Sequence, residues 1–251
     1  MSTTPVALVT GANQGIGFQI ATELAAHRFT VLVGSRNLER GEVAAREIGP
    51  NAVALQLDVT DHISITAAAE RVRTEFGRLD VLVQNAAIAT ALTGEVTSEE
   101  LAQTGRPSVI PMQDIRRIWE TNVFGVLAVY QAMLPVLRMT PGARIVNISS
   151  GAGSLTLNAQ ADFPLRSGFD AGYCASKTAL NGLTLAMAIE LEPEGIRVNV
   201  VSPGYTRTRL TGFAGTDTVE QGAAEAVRLA LLEDRTPTGT FTHAEHGALP
   251  W

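Results

Sequence analysis

Lysine occurs once in this chain, at Lys177, against 18 arginines. A guanidinium keeps its charge at any accessible pH, whereas an ammonium is a compact donor that fits among small polar groups. A sequence that spells its cations with arginine everywhere else marks Lys177 for chemistry rather than for surface charge. Four residues earlier stands Tyr173, in Tyr173-Cys174-Ala175-Ser176-Lys177. On a helix, positions i and i+4 lie one turn apart on one face. A phenol titrates at about 10 and exchanges protons poorly at neutrality. A neighbouring ammonium favours the phenolate and can tune the tyrosine into a usable acid or base. Cys174 faces elsewhere on such a helix and is expected to be packed and inert.

A second constellation lies near the start. The apolar run Val6-Ala7-Leu8-Val9-Thr10 leads into Gly11-Ala12-Asn13-Gln14-Gly15-Ile16-Gly17 and then into a segment of helical period. Three glycines at a strand-to-helix turn permit tight backbone geometry and let a pyrophosphate approach the amides of the helix N-terminus. The next strand ends in Gly34-Ser35-Arg36-Asn37, with no carboxylate to accept from a ribose 2′-hydroxyl. Ser35 and Arg36 offer a hydroxyl and a planar cation instead, a pair suited to a 2′-phosphate, so NADP(H) is expected over NAD(H). The spacing Thr10-Gly11-x-x-x-Gly15-Ile16-Gly17, followed in order by Asn85-Ala86-Ala87, Tyr173-x-x-x-Lys177 and Pro203-Gly204-Tyr205-Thr206-Arg207-Thr208, resembles the short-chain dehydrogenase/reductase family.

That resemblance implies roles for further residues. Asp58, with Val59 at the end of the third strand, would contact the adenine, and Asn85 and Ala86 would line the cofactor from the fourth. Pro203, Gly204, Thr206 and Thr208 would seat the nicotinamide carboxamide. Gly11, Asn13, Gln14, Gly15, Ile16 and Gly17 would cradle the phosphates. Ser150 would hydrogen-bond the substrate carbonyl, with Ser149 the alternative, since the 23 residues from Ser150 to Tyr173 exceed the family's usual gap. Asn122 would hold a water that links Lys177 to solvent. The implied activity is hydride transfer between NADP(H) and a carbonyl or alcohol, with Tyr173 as general acid/base and Ser150 steadying the alkoxide. Lys177 would hold the nicotinamide ribose, and no step calls for a metal. Two other readings stand beside it: a regulatory sensor that binds NADP(H) without turnover, and an epimerase or dehydratase that uses tightly held NAD.

These residues need elements to carry them. Apolar runs at Val6–Thr10, Thr30–Gly34, Ala52–Leu57, Asp80–Gln84, Ala143–Ser149 and Ile196–Val201 read as strands covered on both faces. Helical spacing recurs at Ile16–His27, Glu39–Ile48, His62–Phe76, Ile115–Leu137 and Ala171–Leu191, with Thr60-Asp61 and Asp170 as caps. The alternation predicts one α/β domain, a doubly wound and mostly parallel sheet of Rossmann type. Insertions are expected at 88–114 and 155–172, a substrate lid at 206–217, and a last strand at Pro237–Phe241.

Composition bounds the rest. At 45% hydrophobic and 18% charged the chain is an ordinary globule, and a net charge of −6 argues against a nucleic-acid or anionic-membrane surface. One cysteine cannot form an internal disulfide or a thiolate metal site, and no leader or membrane span is apparent, so a cytoplasmic setting is expected. His243, Glu245 and His246 read as a solvated loop. A homodimer or homotetramer through the Tyr173–Leu191 helix is implied by the resemblance.

Overall fold

A computed structural model describes residues 4–90, 103–232 and 237–251. Seven strands run parallel: β1 (Val6–Thr10), β2 (Thr30–Ser35), β3 (Ala52–Gln56), β4 (Val81–Gln84), β5 (Arg144–Ile148), β6 (Arg197–Val201) and β7 (Phe241–His243). A two-residue strand, β8 (Gly247–Ala248), closes the sheet antiparallel to β7, in the order β3-β2-β1-β4-β5-β6-β7-β8. The sequence placed the last strand too early: the chain pairs from Phe241 onward, while Thr238 and Thr240 bind the β6 edge through Val198 and Asn199.

Continuous apolar strands are wanted because both faces are buried. Leu8, Leu32, Leu82, Ile145 and Val198 are in register across β1, β2, β4, β5 and β6, and all five are fully buried on one face. Ala7, Val9, Val31, Val33 and Val83 fill the other. Each large aliphatic side chain so buried contributes about 1.5–3 kcal/mol.

The helices are α1 (Gly15–Ala26), α2 (Leu38–Ile48), α3 (His62–Arg71), α4 (Met112–Trp119), α5 (Gly125–Arg138), α6 (Leu155–Ala159), α7 (Tyr173–Leu191) and α8 (Val219–Leu231). Two are extended by single π-helical turns, Val72–Phe76 after α3 and Glu120–Phe124 between α4 and α5. Asp61 caps α3 by accepting from Ile63 N–H, as its position predicts. The run Met112–Arg138 has a mean hydropathy of 1.2 over 18 residues, enough by length and composition to cross a membrane, contrary to the sequence expectation. Half of that window is buried within the fold, its apolar side against the sheet. Helix α8 escaped the sequence reading because Gly222, Ala223, Ala226 and Ala230 make its buried face small rather than conspicuously apolar. The inserted stretch 88–114 lies partly outside the described residues, which exclude 91–102.

A buried polar ladder sets α7 on the sheet. Gln84 Nε2 donates to Asn147 Oδ1 at 3.1 Å, and Asn147 Nδ2 donates to Thr184 Oγ1 at 2.9 Å. Inside an apolar core such groups must find one another, so α7 is held in a single register. The carboxyl ends of β1, β4, β5 and β6 then share one edge of the sheet, where open α/β folds bind ligands.

Candidate active site

The glycine turn is built as its sequence requires. Gly11 and Gly15 have φ of 64° and 58°, in the left-handed region that side-chain-bearing residues rarely adopt. At Gly17 a Cβ would fall on Asn85 Nδ2 and lie 2.7 Å from the Gly11 carbonyl. The turn is fastened to β4: Thr10 Oγ1 accepts from the N–H groups of Asn85 (2.9 Å) and Ala86 (3.0 Å), and Asn85 Nδ2 donates to Thr10 O and Gly11 O. The Asn85 amide is therefore spent on holding the turn. No side chain caps α1 at Gln14, so the leading amides of that helix face a cradle suited to an anion. A dinucleotide pyrophosphate fits these residues.

Of the expected cofactor set, Ser35 is turned away. Ser35 is only 2% exposed, lies against Gly41 of α2, and donates its hydroxyl to Asn37 O at 2.7 Å. The parallel register that buries β2 puts this side chain under α2, leaving the exposed Arg36 as the cation at the strand end. Beside the turn a groove is lined by Asn13, Gln14, Arg40 and Arg209 among others. Sequence reading passed over Arg40 and Arg209 as candidates. The available signal was Arg40 lying one helical turn beyond Arg36. Asp58 is half-buried, and its Oδ1 accepts from Thr60 N–H and Oγ1. Val59 is buried beside Gly125, where a Cβ would sit 2.6 Å from the Val59 carbonyl.

Tyr173 opens α7 and Lys177 stands one turn further along the same face. A carboxylate fixes that turn: Asp170 Oδ1 accepts from Gly172 N–H at 2.7 Å and Tyr173 N–H at 2.6 Å. Lys177 is 2% exposed, its Nζ donating to Ile148 O at 2.8 Å and lying 5.7 Å from the Tyr173 ring centroid. With no carboxylate partner, burial pushes the Lys177 ammonium down to about 7. The Tyr173 phenol moves the other way. Burial pushes it well above its ordinary value, Cys174 and Asp170 add to the rise, and a Ser150 hydrogen bond opposes it. At the phenol, burial is the largest influence and outweighs the Ser150 hydrogen bond.

The two serines at the end of β5 part company. Ser149 is 1% exposed and donates to Asn181 Oδ1 at 2.6 Å, on the α7 side. Ser150 Oγ accepts from Ala152 N–H and reaches the Tyr173 phenol. Asn122 is fully buried in the π turn, where its Oδ1 accepts from Ile88 N–H and its Nδ2 donates to Ile88 O and Ser176 Oγ. Ser176 Oγ in turn donates to Tyr173 O at 2.6 Å. The carboxamide hydrogens are thus used up within the protein. A water on the way to Lys177 would have to sit on the backbone of the π turn.

The remaining candidates differ in where they face. Thr206 is buried, donates to Pro203 O at 2.9 Å and packs against Gly222 of α8, so its hydroxyl does not face the cradle. Gly204 has φ of 77° and reverses the chain beside Asp217 and His243. Thr208 does face the turn, its Cγ2 being 3.5 Å from where a Gly15 Cβ would stand. Cys174 is buried, and its thiol is pushed up to about 12, chiefly by burial. His243 and His246 stack at 4.5 Å.

The fold agrees with the comparisons. The short chain dehydrogenase family matches residues 5–218. A (+)-neomenthol dehydrogenase of Arabidopsis thaliana is 35% identical over 284 aligned positions, covering 94% of each chain. The structure of salutaridine reductase from Papaver somniferum superposes with a TM-score of 0.77 at 29% identity, covering 94% of this chain and 99% of that one. A 3-ketoacyl-(acyl-carrier-protein) reductase from Brucella melitensis, solved with NADH, gives 0.79 at 25% identity, with 96% of each chain covered. The chain belongs to the short-chain dehydrogenase/reductase family and is an oxidoreductase of that kind.

Proposed function

We propose that this protein is an NADP(H)-dependent carbonyl reductase or alcohol dehydrogenase acting on a small molecule. The observation that carries the reading is the meeting of Ser150, Tyr173 and a buried Lys177 at the carboxyl end of β5, on the sheet edge that also bears the glycine turn. A nicotinamide cofactor, when bound, supplies the hydride. Gly11 to Gly17 hold its phosphates, Arg36 favours a 2′-phosphate, and Asp58, Val59, Ala86, Pro203, Gly204 and Thr208 line its path. Tyr173 Oη gives a proton to the carbonyl oxygen while Ser150 Oγ donates a hydrogen bond to the same atom. Burial favours the protonated phenol, the form that can give this proton. Lys177 returns the proton and holds the ribose. Asn122 acts as a positioning residue through Ser176. The single cysteine supports a reducing, cytoplasmic setting, and the outer face of α7 supports a homo-oligomer.

The test is NADPH and NADH oxidation against a panel of ketones, aldehydes and quinones. Turnover with NADPH that falls at least about a thousandfold in Tyr173→Phe, with NADPH affinity retained, is expected. Tight binding without turnover by the wild type would replace the enzyme with a sensor. A preference for NADH would overturn the assignment of Arg36.

A further inference from the structure

Behind Ser150 the chain makes a tight 3₁₀ turn, Gly151–Gly153, and the serine hydroxyl is set by it. Gly153 N–H donates to Ser150 O at 2.9 Å, and Ser154 N–H donates to Gly151 O at 3.1 Å. Ala152 N–H donates to Ser150 Oγ at 3.1 Å. That last bond uses one acceptor site of the hydroxyl and leaves its hydrogen free for an acceptor on the Tyr173 side. One flank of the turn lies on α7, where a Cβ at Gly153 would stand 2.8 Å from the Lys177 carbonyl carbon.

The other flank is closed by residues 249–251. Ser154, fully buried, donates to Pro250 O at 2.7 Å, and Thr156 N–H donates to Trp251 O at 2.9 Å. These residues are themselves fixed to the edge of the sheet. Leu249 N–H donates to Phe241 O at 2.8 Å, just past the antiparallel pairing of β7 and β8. The Trp251 ring packs on the buried Phe241 with centroids 5.7 Å apart, and Phe241 pairs with Val200 of β6. A line of contacts thus runs from the sheet through Trp251 and Ser154 to the bond that orients Ser150. A free hydroxyl samples three staggered rotamers, whereas a donor stabilises a developing alkoxide best when it is already aimed.

We propose that Trp251 is a positioning residue for the reaction, and that residues 249–251 form a strap that holds the turn behind Ser150 with its hydroxyl oriented before a carbonyl arrives. The inference rests on the role given to Ser150 above and adds what fixes that serine. It gives a part in turnover to a segment that follows Ser150 by about a hundred residues and acts only through it.

A double-mutant cycle of Trp251→Ala and Ser150→Ala tests this, with NADPH-dependent reduction of a ketone that the wild type turns over. Trp251→Ala is expected to lower kcat about tenfold, with KM and NADPH affinity within about twofold. Trp251→Phe keeps a ring against Phe241 and is expected to recover most of the loss. In the Ser150→Ala background the same Trp251→Ala change is expected to cost less than about twofold, because the group through which it acts is gone. An equal loss in both backgrounds would make Trp251 merely structural and overturn the proposal, as would no loss in either. Hydrogen exchange gives a readout independent of turnover. The stretch from Gly151 to Thr156 is expected to exchange about tenfold faster in Trp251→Ala than in wild type, with β1 unchanged. Unchanged exchange there would also overturn the strap. A Ser150→Ala variant that turns over like wild type would instead overturn the role of Ser150 itself.

Discussion

Lys177 shows how one side chain can be costly to the fold and useful to the site. It sits 2% exposed with a backbone carbonyl as its hydrogen-bond partner, and its ammonium is pushed down to about 7. Between that value and the ordinary 10.5 of the unfolded chain, the unfolded state binds more protons, so stability rises with pH across this window. Below about 7 the full cost of a buried charge is present. Lys177→Met removes the charge and leaves the Ile148 carbonyl unpaired, which returns about 1 kcal/mol of the gain. Without cofactor, the variant is expected to be more stable than wild type by roughly 3 kcal/mol at about pH 7 and to lose that margin toward pH 10. Denaturant unfolding at several pH values measures this. A margin that does not change with pH would show that Lys177 does not titrate there.

At the scale of elements, the segment that follows Ser150 is held from three sides. Thr178 Oγ1 and Asn181 Nδ2 donate to Gly153 O from α7, and Ser202 Oγ accepts from Gly151 N–H at the end of β6. The third hold comes from the far end of the chain, where Thr156 N–H donates to Trp251 O at 2.9 Å while Trp251 packs on Phe241 at 5.7 Å. Ser154 joins these contacts. It is fully buried, donates to Pro250 O at 2.7 Å and caps α6 by accepting from Leu157 N–H at 3.1 Å. Ser154→Ala leaves a buried carbonyl and a helix N–H without partners, at a cost of about 2 kcal/mol. For a chain of this size that is a fall of about 4–8 °C in Tm. Scanning calorimetry decides it, and an unchanged Tm would mean that water replaces both bonds.

For the whole molecule, the homo-oligomer proposed above requires a face able to meet a second copy. Helix α7 carries Tyr173 and Lys177 at one end and shows Leu185 and Ile189 to solvent further along, the latter 63% exposed. A charged rim runs beside them, where Tyr130 Oη donates to Glu190 and Arg138 pairs with Glu194 at 2.7 Å. An apolar strip with a polar rim is the composition of a subunit contact. Ile189→Glu would bury a carboxylate in such a contact, and like charges would face across a two-fold axis. Size-exclusion chromatography with light scattering is expected to show a wild-type oligomer and an Ile189→Glu monomer that still binds NADPH. A wild type that is monomeric at all concentrations would remove α7 as an interface.

What the sequence determined by itself is what depends on neighbours along the chain. The apolar runs of β1 to β6, the left-handed glycines at 11 and 15, the cap at Asp170 and the one-turn spacing of Tyr173 and Lys177 all follow from local sterics, periodicity and hydrogen bonding. Tertiary structure decided where side chains face once distant segments pack. Ser35 is drawn under α2 and Thr206 onto α8, away from the cofactor cradle. The Asn122 side chain is committed to Ile88 and Ser176, and Ser149 to Asn181, which leaves Ser150 toward the tyrosine. Arg209 is carried to Gln14 across nearly two hundred residues of chain. Local sequence fixes where a backbone turns, but the direction and ionisation of a side chain depend on the partners and the burial that the whole fold provides.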